Sequence, residues 1–144
     1  MSRESADEVR RDVFLYVLGM SGDAKNHVLG LAAEDGLSES QLHALLLLTL
    51  PCSQRQLAEK MGIDSSSVVD IADRLEKLGL VRRTIDPSDR RVRLLVLADD
   101  GEKLRRKVFE QALAESPLNR LNPAEHRQLR DLLAKMVDPV DLQF

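Results

Sequence analysis

The chain has 144 residues, of which 43% are hydrophobic and 31% charged, and its formal net charge is −3. This size and balance predict one globular domain and exclude both a membrane protein and a disordered acidic tail. Aromatic residues make up only 3% of the chain, so a platform that stacks single-stranded nucleic acid is not expected. The single cysteine, Cys52, excludes an intramolecular disulfide and a cysteine-based zinc cluster.

The apolar segments are short. The longest apolar run, residues 42–50, is interrupted by His43 and Thr49 and is too short to cross a bilayer. The N-terminal residues are charged and lack the apolar core of a signal peptide. We therefore expect no membrane segment and a soluble, cytoplasmic protein.

Positive charge is concentrated in one stretch. Residues 81–93 contain five arginines and two aspartates, a local charge of +3, so the rest of the chain sums to −6. A basic strip on an acidic body is the electrostatic footprint of an anionic partner such as DNA.

The N-terminal part of the chain reads as three helices. Apolar residues at helical spacing predict a first helix over residues 6–31. Two capping boxes follow, Ser38 with Gln41 and Ser53 with Gln56, in which each side chain accepts from a backbone N–H at a helix start. These boxes predict the starts of the second and third helices.

A fourth helix and a hairpin come next. Gly62 is suited to end the third helix, and Asp64 is expected to cap a fourth over residues 65–78. The spacing of apolar residues then changes from that of a helix to that of a strand, and residues 81–85 and 92–97 are predicted strands.

A turn and two more helices complete the predicted order. Residues 86–89 fit a type I turn between the strands. Asp99 or Asp100 begins a fifth helix, and Asn122 followed by Pro123 begins the last. The predicted fold is mainly α-helical with one hairpin in the middle.

The third and fourth predicted helices have the spacing of a helix-turn-helix. Such a unit needs a small residue where the helices cross, a turn residue that tolerates positive φ, and apolar anchors on the second helix. Ala58, Gly62, Val68 and Ile71 meet these requirements. Because a hairpin with arginines at its tip follows directly after Gly79, the unit is predicted to be a winged helix.

Two motifs identify a family. The segments DRLEKLGLVRR (residues 73–83) and DPSDRR (residues 86–91) resemble the MarR family of transcriptional regulators. The resemblance implies a mainly α fold, a winged helix-turn-helix with a two-stranded wing and flanking N- and C-terminal dimerisation helices.

The resemblance also divides the chain into parts. It implies a single MarR-like domain over residues 1–144. Residues 6–33 and 99–144 would form the dimerisation helices, and residues 37–98 would form the DNA-binding lobe.

The same resemblance implies which residues contact DNA. The fourth predicted helix, residues 65–78, would be the recognition helix. Hydroxyl groups at its start suit phosphate oxygens and base edges. Arg83 is expected to face a phosphate, and Asp89 to brace the turn so that Arg90 or Arg91 enters the minor groove. The implied DNA-binding set is Ser65, Ser66, Ser67, Val69, Asp70, Asp73, Arg74, Arg83, Asp89, Arg90 and Arg91.

Three positions, Asp70, Ala98 and Cys52, differ from the pattern of the family. Asp70 stands where many family members have Arg or Lys, and it either accepts from cytosine N4 or pairs with Arg74 four residues on; we favour the pairing. Ala98 replaces the usual Thr at a helix cap, so Asp99 is expected to cap instead. Cys52 lies outside the first helix, where the family's oxidant-sensing cysteines lie, and is expected to be structural.

The function implied is that of a sequence-specific, homodimeric repressor of a palindromic operator on double-stranded DNA, released by a small aromatic effector. The alternative is a winged-helix protein-interaction module without specific DNA binding. We expect no enzymatic activity, because no catalytic set or phosphate-binding loop is recognisable. No cofactor or metal site is expected.

Overall fold

A computed structural model describes residues 5–137 of the chain. The helices are α1 (Ala6–Gly30), α2 (Glu39–Leu47), α3 (Gln54–Met61), α4 (Ser65–Lys77), α5 (Asp99–Ala114) and α6 (Pro123–Ala134). The strands are β1 (Cys52–Ser53), β2 (Val81–Ile85) and β3 (Arg93–Leu97). Short 3₁₀ helices cover Leu31–Asp35 and Pro117–Arg120. The ends of the predicted domain, residues 1–4 and 138–144, lie outside the described residues.

The predicted helix starts are confirmed at both capping boxes. Ser38 Oγ accepts from the Gln41 amide at 3.1 Å, and Gln41 Oε1 accepts from the Ser38 amide at 3.0 Å. Ser53 and Gln56 form the same pair at 3.1 and 2.9 Å. These bonds satisfy amide groups that have no partner within the helix, which fixes where α2 and α3 begin.

Two predicted caps are wrong in detail. Asp64 occupies the N-cap position of α4, but its side chain makes no capping hydrogen bond. Ala98, and not Asp99, is the N-cap of α5, and Asp99 lies in the first turn. In α5, the carboxylates of the first turn interact favourably with the positive end of the helix dipole, which supports a helix start without a capping side chain.

The sheet has three strands in the order β1-β3-β2, all antiparallel. The two predicted strands of the hairpin are confirmed, with β3 beginning at Arg93 instead of Val92, and they pair Val81 with Leu97 and Ile85 with Arg93. The predicted two-stranded wing is confirmed, and the sheet has one further short strand that was not predicted, β1, in which Cys52 pairs with Leu95. A two-residue strand has too little periodicity to be recognised from sequence.

The core lies where α2, α3, α4 and the sheet meet. Leu42, Leu45, Leu57, Val68 and Leu75 are each 0% exposed. In the described part of the chain, no polar or charged residue is buried. The helix-turn-helix is therefore held together by branched aliphatic packing, as the low aromatic content suggests.

Helices α1 and α6 contribute no buried residue to this core. Large apolar side chains on α1 are instead exposed, among them Phe14 at 65% and Leu18 at 60%. On α6, Leu132 is 51% exposed. Within residues 5–137 no helix combines the length and the apolar character needed to span a membrane.

Candidate DNA-binding interface

The turn of the helix-turn-helix has the predicted geometry. Gly62 has φ 67° and ends α3, and the amide of the next residue, Ile63, donates to the Ala58 carbonyl at 3.1 Å. Ala58 is 3% exposed, so a larger side chain would separate the two helices. Positive φ favours glycine at this turn, which is why the spacing of small residues was informative.

One face of α4 is buried and the opposite face is open. Val68, Ala72 and Leu75 pack into the core. The predicted contact residues of this helix are all exposed: Ser65, Ser66, Ser67, Val69, Asp70, Asp73 and Arg74. The fold therefore presents these side chains on one accessible helix, which has the shape needed to enter a major groove.

The start of α4 is open to an external hydrogen-bond acceptor. Asp64 does not cap the helix with its side chain, and Ser65 and Ser66 are exposed. A helix start of this kind suits a phosphate oxygen of a nucleic-acid backbone.

A pair of carboxylates on α4 holds Arg83 of β2. The guanidinium donates through Nη2 to Asp73 Oδ1 at 2.5 Å and through Nη1 to Glu76 Oε2. The Arg83 side chain is only 24% exposed. These two bonds connect the strand to the recognition helix and leave other N–H donors of the guanidinium, so the contact of Arg83 with a phosphate stays a prediction.

The tip of the wing is shaped by two aspartates. Asp86 Oδ1 accepts from the Ser88 amide at 2.8 Å and from its hydroxyl at 2.7 Å, and Asp89 Oδ1 accepts from the Arg91 amide at 3.0 Å. The Ser88 hydroxyl and amide lower the pKa of Asp86 below its usual value, since they stabilise the carboxylate. Both aspartates thus fix the backbone that bears Arg90 and Arg91.

The wing arginines extend into solvent. Arg90 and Arg91 are exposed, and neither forms an ion pair with another described residue. Two unneutralised cations at the end of a rigid turn are free to bind phosphate or to enter a minor groove.

The favoured pairing of Asp70 with Arg74 is not present. No ion pair within 4.0 Å joins Asp70 to any residue that the structure describes. Spacing of four residues permits such a pair on a helix, but two exposed side chains gain little from forming it in water.

Two structural contributors were missed at the sequence level. Glu76 is the second acceptor of Arg83, and its spacing of three residues from Asp73 on α4 is the signal that could have revealed it. Gly101 of α5 lies against Leu80, the residue before β2, where an added Cβ would be 2.0 Å from the Leu80 carbonyl oxygen. In the described part of the chain, no group of three or more His, Cys, Asp or Glu residues could hold a metal ion.

An exposed recognition helix joined by an ion-paired arginine to an arginine-tipped hairpin defines a winged-helix DNA-binding protein. The comparisons with known proteins give the family. The MarR family model matches residues 37–92. The chain is 36% identical over 118 residues to the uncharacterized HTH-type transcriptional regulator YdgJ of Bacillus subtilis, covering 77% of this chain and 71% of that protein.

A second relative and a solved structure agree. The HTH-type transcriptional repressor MdtR of Bacillus subtilis is 33% identical over 113 residues, which cover 77% of this chain and 70% of that protein. The crystal structure of CouR from Rhodococcus jostii RHA1 bound to p-coumaroyl-CoA is matched with a TM-score of 0.61 and 29% identity, over 89% of this chain and 93% of that one. The chain belongs to the MarR family and is a helix-turn-helix transcriptional regulator.

Proposed function

We propose that this regulator is a homodimeric repressor that acts in the cytoplasm, binds a palindromic operator and is released by a small aromatic effector. The observation that supports it most strongly is the connection of α4 to the wing through Arg83, Asp73 and Glu76. It sets the recognition helix and the arginine tip in one relative orientation, which is what simultaneous contact with a major groove and the adjacent minor groove requires.

The proposed DNA contacts follow from exposure and charge. The start and outer face of α4 would enter the major groove, and the wing tip would lie in the flanking minor groove. Arg83 and Asp73 would position the wing. The residues proposed for the DNA interface, in which Asp73 and Asp89 act by positioning arginines, are Ser65, Ser66, Ser67, Val69, Asp70, Asp73, Arg74, Arg83, Asp89, Arg90 and Arg91.

The proposal of a dimer rests on exposed apolar side chains. On α1, Phe14 is 65% and Leu18 60% exposed, and on α6 Leu132 is 51% exposed. Neither helix contributes a buried residue to the core, and a homodimer interface would remove such side chains from water. Residues 6–33 and 99–137 are therefore proposed as the dimerisation helices, around a DNA-binding lobe at residues 37–98.

Release by an effector is proposed from a relative. CouR is bound to p-coumaroyl-CoA in its solved structure. For the present chain, a small aromatic compound would lower operator affinity only as far as it prefers a dimer whose recognition helices do not match successive major grooves, about 34 Å apart. No enzymatic step is needed for this cycle.

Selection from a pool of randomised duplexes, followed by fluorescence-anisotropy titration at two salt concentrations, tests the proposal. We expect one palindromic sequence to be enriched and bound with a Kd of about 10⁻⁸ M or tighter. Binding to unrelated duplexes should be weak and should fall steeply with salt. Uniformly weak binding to every duplex would contradict the proposal and favour a protein-interaction module.

A further inference from the structure

The outer face of α4 has an acidic residue at its centre. Successive residues of a helix are rotated by about 100°, which places Asp70 on the side opposite the buried Val68, Ala72 and Leu75. Its neighbours on that side are Ser66, one turn before it, and Asp73 and Arg74, one turn after it. Asp70 is therefore the side chain that a groove would meet first in the middle of the helix.

The two acidic residues of this face differ in charge balance. Asp73 is neutralised by Arg83 at 2.5 Å. Asp70 has no cation within 4.0 Å among residues 5–137, and Arg74 lies one turn further along without pairing with it. An unpaired carboxylate that enters DNA is repelled by phosphates unless it meets a hydrogen-bond donor.

The major groove offers few donors to a carboxylate. Guanine presents two acceptors and thymine an acceptor and a methyl group. Adenine presents its N6 donor beside the N7 acceptor, which repels a carboxylate oxygen, whereas cytosine presents the N4 donor alone. The chemistry of an unpaired aspartate at this position thus favours cytosine over the other three bases.

We infer that Asp70 is a specificity-determining residue that selects a cytosine in each half-site of the operator. This inference rests on the proposed function, since it requires that α4 enter the major groove. It assigns the acidic residue a direct role in reading sequence, whereas the arginines of the wing supply attraction to the backbone.

The test begins with two parallel selections from randomised duplexes, one with the wild-type chain and one with Asp70→Asn. The wild-type half-site should contain a cytosine whose replacement weakens binding roughly tenfold per half-site. For Asp70→Asn the preferred base at that position should change to adenine, because an amide matches adenine N6 and N7. Asp70→Ala should lose the preference without gaining another.

A control variant separates base reading from net charge. Glu39→Gln removes one negative charge from an exposed position of α2, outside the helix-turn-helix and the proposed dimerisation helices. It should leave base preference unchanged. Thermal unfolding of each variant followed by circular dichroism should match the wild type, since Asp70 and Glu39 are exposed.

The outcomes distinguish this inference from the proposed function. If the wild type selects an operator but Asp70→Asn only tightens binding to all duplexes by a common factor, Asp70 acts by repulsion and the inference is overturned. The same holds if no cytosine position depends on Asp70. If the wild type selects no sequence at all, the proposed function fails and the inference fails with it.

Discussion

Arg83 Nη2 lies 2.5 Å from Asp73 Oδ1, and this contact joins the first strand of the wing to the recognition helix. The residues are ten positions apart in sequence, with the helix end and the Gly79 turn between them. Because Glu76 binds the same guanidinium, rotation of the wing relative to α4 would break two charge-assisted hydrogen bonds together.

Replacing Arg83 should weaken operator binding more than it weakens the fold. Arg83→Met should lower operator affinity by roughly tenfold or more, the scale of one lost arginine contact, because the wing is no longer held. A double-mutant cycle with Asp73→Asn should give a coupling of only about 0.5–1 kcal/mol in urea unfolding, because Asp73 is largely exposed and the pair is screened. The matched control is Arg82→Met, on the exposed face of the same strand; equal losses for the two variants would refute the positioning role.

The wing arginines should act through phosphate and the minor groove. Arg90→Ala and Arg91→Ala should each cost roughly 1–3 kcal/mol of operator binding where the side chain reads the groove. Where the side chain contacts only a phosphate, its removal should instead reduce the slope of log affinity against log salt concentration by about one. Titration at several salt concentrations separates these cases, with Arg106→Ala on α5 as the control. Wild-type affinity in the double Arg90→Ala, Arg91→Ala variant would show that the wing tip does not contact the operator.

Much of this fold could be predicted from sequence because its signals are local. The capping boxes at Ser38 and Ser53, the glycine at the turn and the change from helical to strand period all depend on residues within a few positions of one another. The family resemblance added the expectation that the flanking helices form a dimer.

Features set by tertiary contacts could not be predicted in the same way. Whether Arg83 faces DNA or two carboxylates depends on how the strand crosses α4, and whether Asp70 pairs with Arg74 depends on a small balance between exposed charges. The strand at Cys52 exists only because Leu95 of the hairpin lies beside it. Each of these depends on a distance in space that sequence spacing does not fix.

The buried thiol of Cys52 should be unreactive in the native protein. Cys52 is 4% exposed, and burial raises the pKa of its thiol, an effect that Lys60 partly opposes. Because the thiolate is the reactive form, a raised pKa leaves less of it at pH 7 to 8. Labelling with a thiol reagent should therefore be slow in native buffer and rapid in denaturant, and should quicken only as pH rises above the ordinary thiol range. Fast labelling of Cys52 in the native protein would contradict this prediction and favour an oxidant-sensing role.

The apolar face of α1 should hold the dimer together. Val13 is 48% exposed and Val17 is 45% exposed on the same face of the helix. The double variant Val13→Asp, Val17→Asp places charges at the proposed interface, where burying an unpaired charge is costly. We expect a monomer in light scattering at micromolar concentration. Operator binding should be weak, because a monomer contacts only one of the two half-sites. Removal of residues 1–30 should do the same, and a stable dimer from either variant would place the interface elsewhere.

Gly101 should be intolerant of any side chain. It is buried at the start of α5, and an added Cβ would lie 2.0 Å from the Leu80 carbonyl oxygen and 3.2 Å from Leu97 Cδ2. The same carbonyl accepts from the Ala98 amide at 2.9 Å, so the backbone cannot move away without losing that bond. Gly101→Ala should therefore lower the free energy of unfolding by about 1–3 kcal/mol, the usual cost of overpacking.

A second glycine provides the control for this experiment. Gly30 ends α1 with helical dihedral angles, and an added Cβ there would meet no atom within 4 Å. Gly30→Ala should be neutral or stabilising by up to about 1 kcal/mol, because alanine loses less conformational entropy in a helix. Urea unfolding of both variants measures the difference. Similar stabilities for the two variants would mean that Gly101 of α5 does not pack against the Leu80 backbone of the DNA-binding lobe.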